Sequence, residues 1–519
     1  MANDRSYKLY LYNRFFLFLI LVFGQLVGYV LLLYLFAYNS KVGFAVQIGV
    51  GIIALVCVLY LIGKNDRPSA KLNWILLMLL TPVVGVPMYI LYGEGRPTKR
   101  MNKKILRAKA QNGEEIKAVL GEREIPKAEC RSDAICQYIA KHAGYPMYTQ
   151  GGVEYYKSGE EVYPILLEEL EKAEKFILLD YFIIAHGKMW NSILKILLEK
   201  AIQGVQVRIL YDDFGCMMTL PPKYDRYLES LHENIKCMTF NNVAPIFAVR
   251  MNNRDHRKIT VIDGRVAFTG GFNLSDEYIN EKKRFGYWKD CAVKITGGAV
   301  NSFTQMFFYL WNAFAPKRES LESYLIPQKQ GGRDEGNGET RIQPYDDSPL
   351  DKISVGEGVY VDIINRAARY VYIFTPYLVL DDSLRFALCR AASRGVDVRI
   401  VTPGVPDKKV TYRLTRANYQ ILIKAGVKIY EYTPGFLHSK CVVSDDECAV
   451  VGTINFDYRS LYHHFENAVY LANCPAVEAV KRDMEDTFAV SRECSSAYPK
   501  RRLLGRMIDA LLRVFETLF

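Results

Sequence analysis

The chain has 519 residues, which is long enough for two or three domains of ordinary size, each with a buried core. Its 67 Lys and Arg exceed its 56 Asp and Glu, and the resulting formal charge of +11 suits an anionic partner such as nucleic acid or a phospholipid surface. The 11 cysteines include no C-x-x-C pair, so a disulfide framework and a zinc site are both disfavoured and a reducing compartment is expected.

Two apolar segments near the N-terminus are predicted to cross a membrane. Residues 15–37 and 42–63 contain no charged side chain, and each is long enough to pass as a helix through a hydrocarbon core of about 30 Å. A cleaved signal peptide is disfavoured because the first segment is too long and no small-residue cleavage site follows it. A third apolar segment at 72–92 contains two prolines and a glycine near its centre, so it either spans the membrane or enters and returns.

A cluster of seven Lys and Arg follows at 96–109. Such a juxtamembrane cluster is typical of the cytoplasmic side of a membrane, and it attracts anionic lipid. Positive residues also precede segment 72–92, and a re-entrant third segment is the arrangement that keeps both flanks inside. We therefore expect a multi-pass protein of the cell membrane with two full crossings, whose N-terminus and remaining body are cytoplasmic.

Beyond residue 113 the chain has the pattern of an α/β protein. Apolar, β-branched runs at 175–184 and 205–213 flank a helical pattern at 189–203, which is the order of a βαβ unit. The same order recurs at 370–404, after a segment rich in Gly and charge that has no apolar periodicity. The predicted divisions are a membrane anchor with its basic region at 1–112, a first α/β half at 113–327, a linker at 328–345, and a second α/β half at 346–519.

The C-terminal stretch at 500–519 combines a helical stripe of apolar side chains with four arginines. It is predicted to form an amphipathic helix. That helix either lies in the membrane interface or packs against the second half, and the sequence does not choose between the two.

Both halves carry the same short motif, H-x-K-x4-D. Its members are His256, Lys258 and Asp263 in the first half and His438, Lys440 and Asp445 in the second, and in each half an Asn lies 17 residues beyond the His, at Asn273 and Asn455. Two copies in register among only seven histidines are not plausibly accidental. A His and a Lys two positions apart on a strand point to the same face, so both can project into one site.

One His and one Lys from each half suit the transfer of a phosphodiester. Two ammonium groups can stabilise the negative charge that grows on the phosphoryl oxygens without any metal ion. One imidazole can attack phosphorus while the other protonates the departing alkoxide, and the second then activates the acceptor hydroxyl. The motifs therefore predict an enzyme with a phosphohistidine intermediate, no metal and no cofactor, and they leave open which His attacks.

These motifs, with the longer strings NNRDHRKITVIDGRVAFTGGFNLSDEYIN at 252–280 and GFLHSKCVVSDDECAVVGTINFDYRSLYHHFEN at 435–467, make the chain resemble the phospholipase D superfamily. The strings, and the N-terminal pattern WILLMLLTPVVGVPMYILYGEGR at 74–96, are similar to those of the bacterial cardiolipin synthases in particular. The resemblance covers roughly residues 130–490. It implies two α/β halves related by pseudo-twofold symmetry, with one active site between them.

The resemblance implies roles for the residues that match the family's motifs. His256 is implied as the nucleophile, and His438 as the general acid and then the base. The implied phosphate-binding residues are Lys258, Lys440, Asn273 and Asn455. The implied acidic residues are Asp263 and Asp445 of the catalytic motif, with Asp290 and Glu466 as carboxylates that orient the imidazoles. The chain departs from the family at His464, where Asn is usual, and this departure concerns the acceptor pocket.

The reaction that the resemblance implies is transfer of a phosphatidyl group between two phosphatidylglycerol molecules, which gives cardiolipin and glycerol. Phosphatidylglycerol, other anionic phospholipids and the membrane are therefore the expected partners. Hydrolysis, with water as acceptor, and phosphatidylserine synthesis, with serine, stay open because the motifs handle the phosphoryl group and not the acceptor. A nuclease of the superfamily would explain the positive charge but not the apolar anchor, so no nucleic acid partner is expected. A non-catalytic lipid-binding scaffold would have at least one broken motif, and neither copy is broken.

Overall fold

The computed structural model of the chain describes residues 40–64, 68–80, 98–121, 131–242, 253–327, 340–350 and 353–494, with single positions within 23–38, 82–90 and 505–512. Most of the first predicted crossing, the end of the third apolar segment and most of the C-terminal amphipathic stretch lie outside the described residues. The helices of the described part are α1 (Ser40–Gly63), α2 (Pro68–Leu80), α3 (Lys99–Leu120), α4 (Arg131–His142), α5 (Gly159–Glu171), α6 (Lys188–Ile202), α7 (Asp213–Cys216), α8 (Tyr224–Leu231), α9 (Val300–Phe314), α10 (Val355–Arg366), α11 (Asp382–Ser393), α12 (Lys409–Lys424), α13 (Tyr458–Tyr462) and α14 (Pro475–Ala489).

The strands of the described part form two large sheets and one small one. They are β1 (Val153–Tyr156), β2 (Phe176–Tyr181), β3 (Gln206–Asp212), β4 (Ile235–Phe240), β5 (Lys258–Ile262), β6 (Val266–Gly270), β7 (Tyr287–Lys289), β8 (Ala292–Thr296), β9 (Arg341–Asp347), β10 (Tyr370–Phe374), β11 (Asp397–Pro403), β12 (Lys428–Tyr432), β13 (Gly435–Leu437), β14 (Cys441–Ser444), β15 (Cys448–Gly452), β16 (Glu466–Ala472) and β17 (Ser491–Cys494). The first half holds a seven-stranded sheet in the order β1–β8–β6–β5–β2–β3–β4. The second holds an eight-stranded sheet in the order β17–β12–β11–β10–β14–β15–β16–β9.

The two large sheets repeat one arrangement. In the first sheet β2, β3 and β4 run parallel, and β5, β6 and β8 continue antiparallel beside β2. In the second sheet β10, β11 and β12 run parallel, and β14, β15 and β16 continue antiparallel beside β10. Strands β2 and β10 are buried along their whole length, which explains why their sequences are apolar, apart from Asp180, rather than alternating. The prediction of two copies of one α/β unit is therefore confirmed.

Helices α1 and α2 pack together through one apolar face of each. Val58 and Leu61 of α1 lie in a buried cluster with Trp74 of α2. The other faces expose large apolar side chains, among them Leu59, which is 60% exposed, and Leu80, which is 72% exposed. Among the described residues, no helix combines the length and the apolar character needed to cross a membrane. The predicted crossings therefore stay predictions.

The N-terminal part of the predicted first half is attached to the second sheet. Tyr148 pairs with Ile342 on the edge strand β9, and Asp133 of α4 accepts a hydrogen bond from Arg341 at 2.8 Å. Gln343 of the same strand donates to two carbonyl oxygens, one in α4 and one in the loop that follows it. Strand β9 itself begins inside the interval predicted as the linker. The two halves thus share elements at this edge.

Helix α9 lies between the two sheets and contacts strands of both. Most of its side chains are buried, including Phe303, Phe307 and Trp311. Helix α3, which carries most of the predicted basic cluster, packs its apolar side on α9 and buries Met101 and Ile105. Its basic side chains stay largely on the exposed side. The basic region is therefore docked on the α/β body.

Candidate active site

The His of each motif is hydrogen-bonded through its backbone to the opposite half of the molecule. In the first half, His256 donates its backbone N–H to the carbonyl oxygen of Phe465 at 2.8 Å, and Phe465 donates to the carbonyl oxygen of Arg254 at 2.8 Å. In the second half, His438 donates its backbone N–H to the carbonyl oxygen of Lys289 at 2.7 Å, where β13 pairs in parallel with β7. Both histidines therefore lie at the junction of the two halves.

Each imidazole is also oriented by a carboxyl group from the other half. His256 Nδ1 lies 2.8 Å from Glu466 Oε2, and His438 Nδ1 lies 2.7 Å from Asp290 Oδ2. Both carboxyl groups are fully buried. Because Nδ1 of each ring is engaged, Nε2 is the nitrogen left for chemistry. Asp290 and Glu466 thus each contact one motif histidine, and their part in catalysis stays a prediction.

The turns after the two motifs support these carboxyl groups in different ways. A Cβ atom at Gly271 would lie 2.0 Å from Asp290 Oδ1, so only glycine leaves room for that carboxyl group. At the matching place in the second half, Thr453 donates its hydroxyl to Glu466 Oε2. The sequence difference between GGFN and GTIN therefore follows from which carboxyl group each turn contacts.

Two buried ammonium groups lie beside the imidazoles. Lys258 Nζ donates to the carbonyl oxygen of His256 at 2.7 Å, and Lys440 Nζ donates to the carbonyl oxygen of His438. Burial lowers the pKa of Lys258 to about 7, assisted by repulsion from Lys440, and burial also lowers the pKa of Lys440. An anion bound between the two ammonium groups would offset this repulsion and favour their charged forms. The site therefore suits a phosphate diester.

The same cations act on the two imidazoles. Burial, followed by the charge of Lys440, lowers the pKa of His438 to about 4. Burial, followed by the charge of Lys258, lowers the pKa of His256 well below its usual value. Both rings are therefore neutral near neutral pH, and each has an unprotonated ring nitrogen.

The two carboxyl groups have opposite pKa shifts. Burial alone would raise the pKa of Asp290, but the imidazole of His438 and the ammonium group of Lys440 outweigh it, so its pKa lies below the usual range. Burial raises the pKa of Glu466 well above the usual range, and the charge of Lys258 offsets this only in part. The His438 pair therefore contains an ionised carboxylate, whereas Glu466 resists ionisation.

The two predicted phosphate-binding amides have different surroundings. Asn273 Oδ1 accepts a hydrogen bond from Ile183 N–H at 3.0 Å, and its Nδ2 donates to the Tyr278 hydroxyl at 2.6 Å. Asn455 Oδ1 is buried and has no hydrogen-bond partner among the described residues. Since an amide nitrogen carries two N–H donors, Asn273 keeps one donor besides the one that Tyr278 accepts. Phosphate binding by these amides stays a prediction.

The structure does not bring the motif aspartates to the histidines. Asp263 follows the end of β5 with a φ of 53°, and its carboxylate accepts hydrogen bonds of 2.8 Å from the backbone N–H groups of residues 174–176. Asp445 follows β14 with a φ of 55° and binds the backbone N–H groups of residues 368–370 in the same way. Each motif strand has its Lys at one end and its Asp at the other. This placement corrects the expectation that the two aspartates belong to the catalytic group, because they hold the turns that lead into β2 and β10.

Aromatic side chains that the sequence analysis did not single out surround the two imidazoles. The ring centroid of His256 lies 5.1 Å from that of Phe182. The ring of His438 lies 5.3 Å from Trp288 and 5.5 Å from Tyr278. In the sequence these residues resemble ordinary core aromatics. The available signal was that Trp288 lies two positions before Asp290, which the resemblance assigns to the site.

Comparison with known protein families matches residues 166–307 and 360–488 to the family described as cardiolipin synthase, PLD-like domain, and residues 52–94 to phospholipase D-nuclease N-terminal. The cardiolipin synthase of Alkalihalophilus pseudofirmus is 32% identical over 460 residues, which cover 88% of this chain and 90% of that protein. The cardiolipin synthase of Geobacillus kaustophilus is 32% identical over 489 residues, which cover 92% of this chain and 93% of that protein. A Streptococcus mutans protein described as uncharacterized is 41% identical over 466 residues, which cover 89% of this chain and 99% of that protein.

A solved structure has the same fold. Phosphatidylserine synthase from Haemophilus influenzae matches with a TM-score of 0.55 at 15% identity, over 75% of this chain and 98% of that one. At this identity the match concerns the arrangement of the two halves and not the substrate. The family match includes both motifs and confirms the resemblance seen in the sequence. The chain therefore belongs to the cardiolipin synthase family of phospholipase D-type phosphatidyltransferases.

Proposed function

We propose that the chain is a cardiolipin synthase. It transfers a phosphatidyl group from one phosphatidylglycerol to the terminal hydroxyl of a second and releases glycerol. The observation that carries the proposal is the crossed site, in which each half supplies a His and a Lys and orients the His of the other half. The relatives named cardiolipin synthases match this chain along most of its length, which supports phosphatidylglycerol as the acceptor.

The first proposed step forms a phosphohistidine. His256 Nε2 attacks phosphorus and forms a P–N bond, and the P–O bond to the headgroup glycerol breaks. His438, which is protonated at Nε2 when the anionic diester is bound, gives that proton to the leaving oxygen. In the second step His438 takes the proton from the terminal hydroxyl of the second phosphatidylglycerol. That oxygen forms the new P–O bond as the P–N bond to His256 breaks, so the enzyme returns to its starting state.

The surroundings of the two histidines support this division of roles. An ionised carboxylate at Nδ1 stabilises an imidazolium, and Asp290 offers one to His438, which must carry a proton in the first step. Lys258 and Lys440 supply positive charge where negative charge grows on the phosphoryl oxygens. The proposed reaction therefore uses no metal ion.

We also propose that residues 1–112 anchor the protein in the cell membrane as a multi-pass segment, with the catalytic body on the cytoplasmic side. The exposed apolar faces of α1 and α2 and the basic face of α3 support this placement. Both substrates are membrane lipids, so an anchored site would meet them without moving their acyl chains into water.

The test is to incubate the purified full-length protein with phosphatidylglycerol vesicles alone and to identify the products by mass spectrometry. Equal amounts of cardiolipin and glycerol support the proposal. Phosphatidic acid in place of cardiolipin would establish a hydrolase, and phosphatidylserine formed after serine is added would establish the serine-dependent alternative. A His256→Ala preparation controls for contaminating activity. Lipid binding without any product would favour the scaffold, and cleavage of added DNA would favour a nuclease.

A further inference from the structure

A third imidazole lies beside His256. The ring of His464 has its centroid 5.5 Å from that of His256, and its Nδ1 lies 3.5 Å from Glu466 Oε1. The side chain of His464 is only 10% exposed. Both of its ring nitrogens are buried and accept or donate no hydrogen bond within the described part of the chain. Buried polar atoms are nearly always satisfied in folded proteins, so these nitrogens point to a ligand.

The three side chains present a donor set for a metal ion. His256, His464 and Glu466 each offer one ligand atom, and these atoms lie within 4.8 Å of one another. A tetrahedral Zn²⁺ with bonds of about 2.0–2.2 Å separates its ligand atoms by roughly 3.3 Å. The carboxyl oxygens of Glu466 already lie 2.8 Å from His256 Nδ1 and 3.5 Å from His464 Nδ1. Small movements of the rings would therefore complete three ligands.

The chemistry of the donors selects the kind of ion. Two imidazoles and one carboxylate suit Zn²⁺ and similar transition metals, whereas Mg²⁺ and Ca²⁺ prefer oxygen ligands. Three protein ligands leave a fourth position for water or a phosphoryl oxygen. The nearby ammonium group of Lys258 repels a dication, so binding is expected to be weaker than at a structural zinc site.

We propose that His256, His464 and Glu466 form an inhibitory binding site for a divalent transition-metal ion such as Zn²⁺. The ion takes Nδ1 of His256 and the carboxyl group that orients this ring, so the imidazole is no longer held for attack on phosphorus. Binding is thus an addition to the phosphatidyl transfer and not a part of it. His464 is the ligand specific to the metal site, because His256 and Glu466 also belong to the crossed site.

Metal binding is tested directly on the purified full-length protein after treatment with a chelator and its removal. Co²⁺ serves as the spectroscopic probe, because its visible absorption reports a site of low coordination number, and Zn²⁺ binding is measured by calorimetry. We expect one Zn²⁺ per chain, displacement of Co²⁺ by Zn²⁺, and at least tenfold weaker binding in His464→Asn. The matched control is His463→Asn, which changes the neighbouring imidazole outside the donor set and should bind as the wild type does.

The inhibitory effect is tested in the phosphatidylglycerol assay with buffered free Zn²⁺, each variant being compared with its own rate in EDTA. The wild type should lose about half of its rate at the Zn²⁺ concentration that half-fills the site, and His464→Asn should need at least tenfold more. If His464→Asn does not fold, His464→Gln replaces it. Equal Zn²⁺ binding by wild type and the His464 variants would overturn the site, and binding without inhibition would overturn its effect. The binding measurement needs no turnover, so it stands even if the proposed lipid reaction fails.

Discussion

Asp290 and Glu466 hold equivalent places opposite the two histidines but differ in charge. Lys440 and His438 keep the carboxyl group of Asp290 ionised against the effect of burial, whereas burial raises the pKa of Glu466. An ionised neighbour stabilises an imidazolium, and a neutral neighbour does not. The duplicated motif therefore gives its two histidines different environments.

Replacing either His with Ala should abolish turnover, because each ring has a separate and necessary task. We expect His256→Ala and His438→Ala each to lower kcat by at least about a thousandfold, with little change in the thermal unfolding temperature. Intact-mass analysis after an acid-free quench should detect a phosphatidyl adduct on the wild type. The adduct should be acid-labile and should be missing from His256→Ala. An adduct that persists in His256→Ala but not in His438→Ala would reverse the two roles.

Asp263 should matter for stability and not for chemistry. Asp263→Asn removes the charge and one acceptor oxygen from a carboxylate that binds three backbone N–H groups at 2.8 Å. We expect the free energy of unfolding to fall by about 2–3 kcal/mol, while kcat of the folded enzyme stays within about threefold. Asp290→Asn is the matched comparison and should lower kcat by at least about a hundredfold. Denaturation and rates are measured on the same preparations, and a loss of kcat without loss of stability in Asp263→Asn would contradict this role.

The pKa of His438 predicts how stability depends on pH. The usual pKa of about 6.5 applies to the unfolded chain, and in the folded protein burial lowers this pKa to about 4. As the pH falls through this window the unfolded chain binds the proton first, so stability falls, by up to roughly 3 kcal/mol in total. Above about pH 6.5 this contribution is fully present. Between pH 7 and pH 4 the urea midpoint of unfolding should fall less steeply with pH in His438→Gln than in the wild type. An identical pH dependence of the two midpoints would contradict the lowered pKa of His438.

At the scale of elements, local sequence patterns predict the strands well. The apolar run at 205–213 anticipates β3 (Gln206–Asp212), and the repeat of this pattern at 370–404 begins with β10 (Tyr370–Phe374). The spacing of apolar residues predicts which side chains are buried and the order of helices and strands, because both depend on residues that are close in the sequence. It does not report that β13 pairs with β7, since this contact joins strands far apart in the chain.

Two features of the molecule were not predicted from local patterns. Asp290 meets His438 across 148 positions of sequence, and only the resemblance to a family indicated that these residues act together. The packing of α3 on α9 was missed because basic residues dominate this segment, although Met101, Ile105 and Ala108 recur at helical spacing on one face. A weak apolar stripe within a charged segment was the available signal.

A cut in the predicted linker should leave the enzyme active. Contacts on both sides of it, through α9, β9 and the backbone bonds at the two histidines, join the halves independently of the peptide link. We expect a protease site inserted between residues 331 and 337 to be cleaved with at least about half of the activity retained. The uncut insertion variant is the control. Complete loss of activity on cleavage, with separation of the fragments on gel filtration, would show that these contacts do not suffice.

At the scale of the whole molecule, the proposed topology can be tested with single cysteines in a variant that lacks accessible native thiols. Tyr38 is 83% exposed and Ala118 is exposed on α3, whereas the nearby Asn112 is buried and unsuited to labelling. An impermeant maleimide added to intact cells should label Tyr38→Cys and should label Ala118→Cys only after lysis. Labelling of Ala118→Cys in intact cells would mean that the third apolar segment crosses the membrane.

The crossed carboxyl groups have a consequence for how the two halves can change over evolutionary time. A hybrid that joins the first half of this chain to the second half of a relative separates His256 from its own Glu466 and Asp290 from its own His438. Both His–carboxyl pairs must then form between halves of different origin, and so must the backbone hydrogen bonds that bring these residues together. Selection is therefore expected to act on the two His–carboxyl pairs that join the halves rather than on each repeat separately. One half could then not be exchanged for that of a relative without matching changes in the other half.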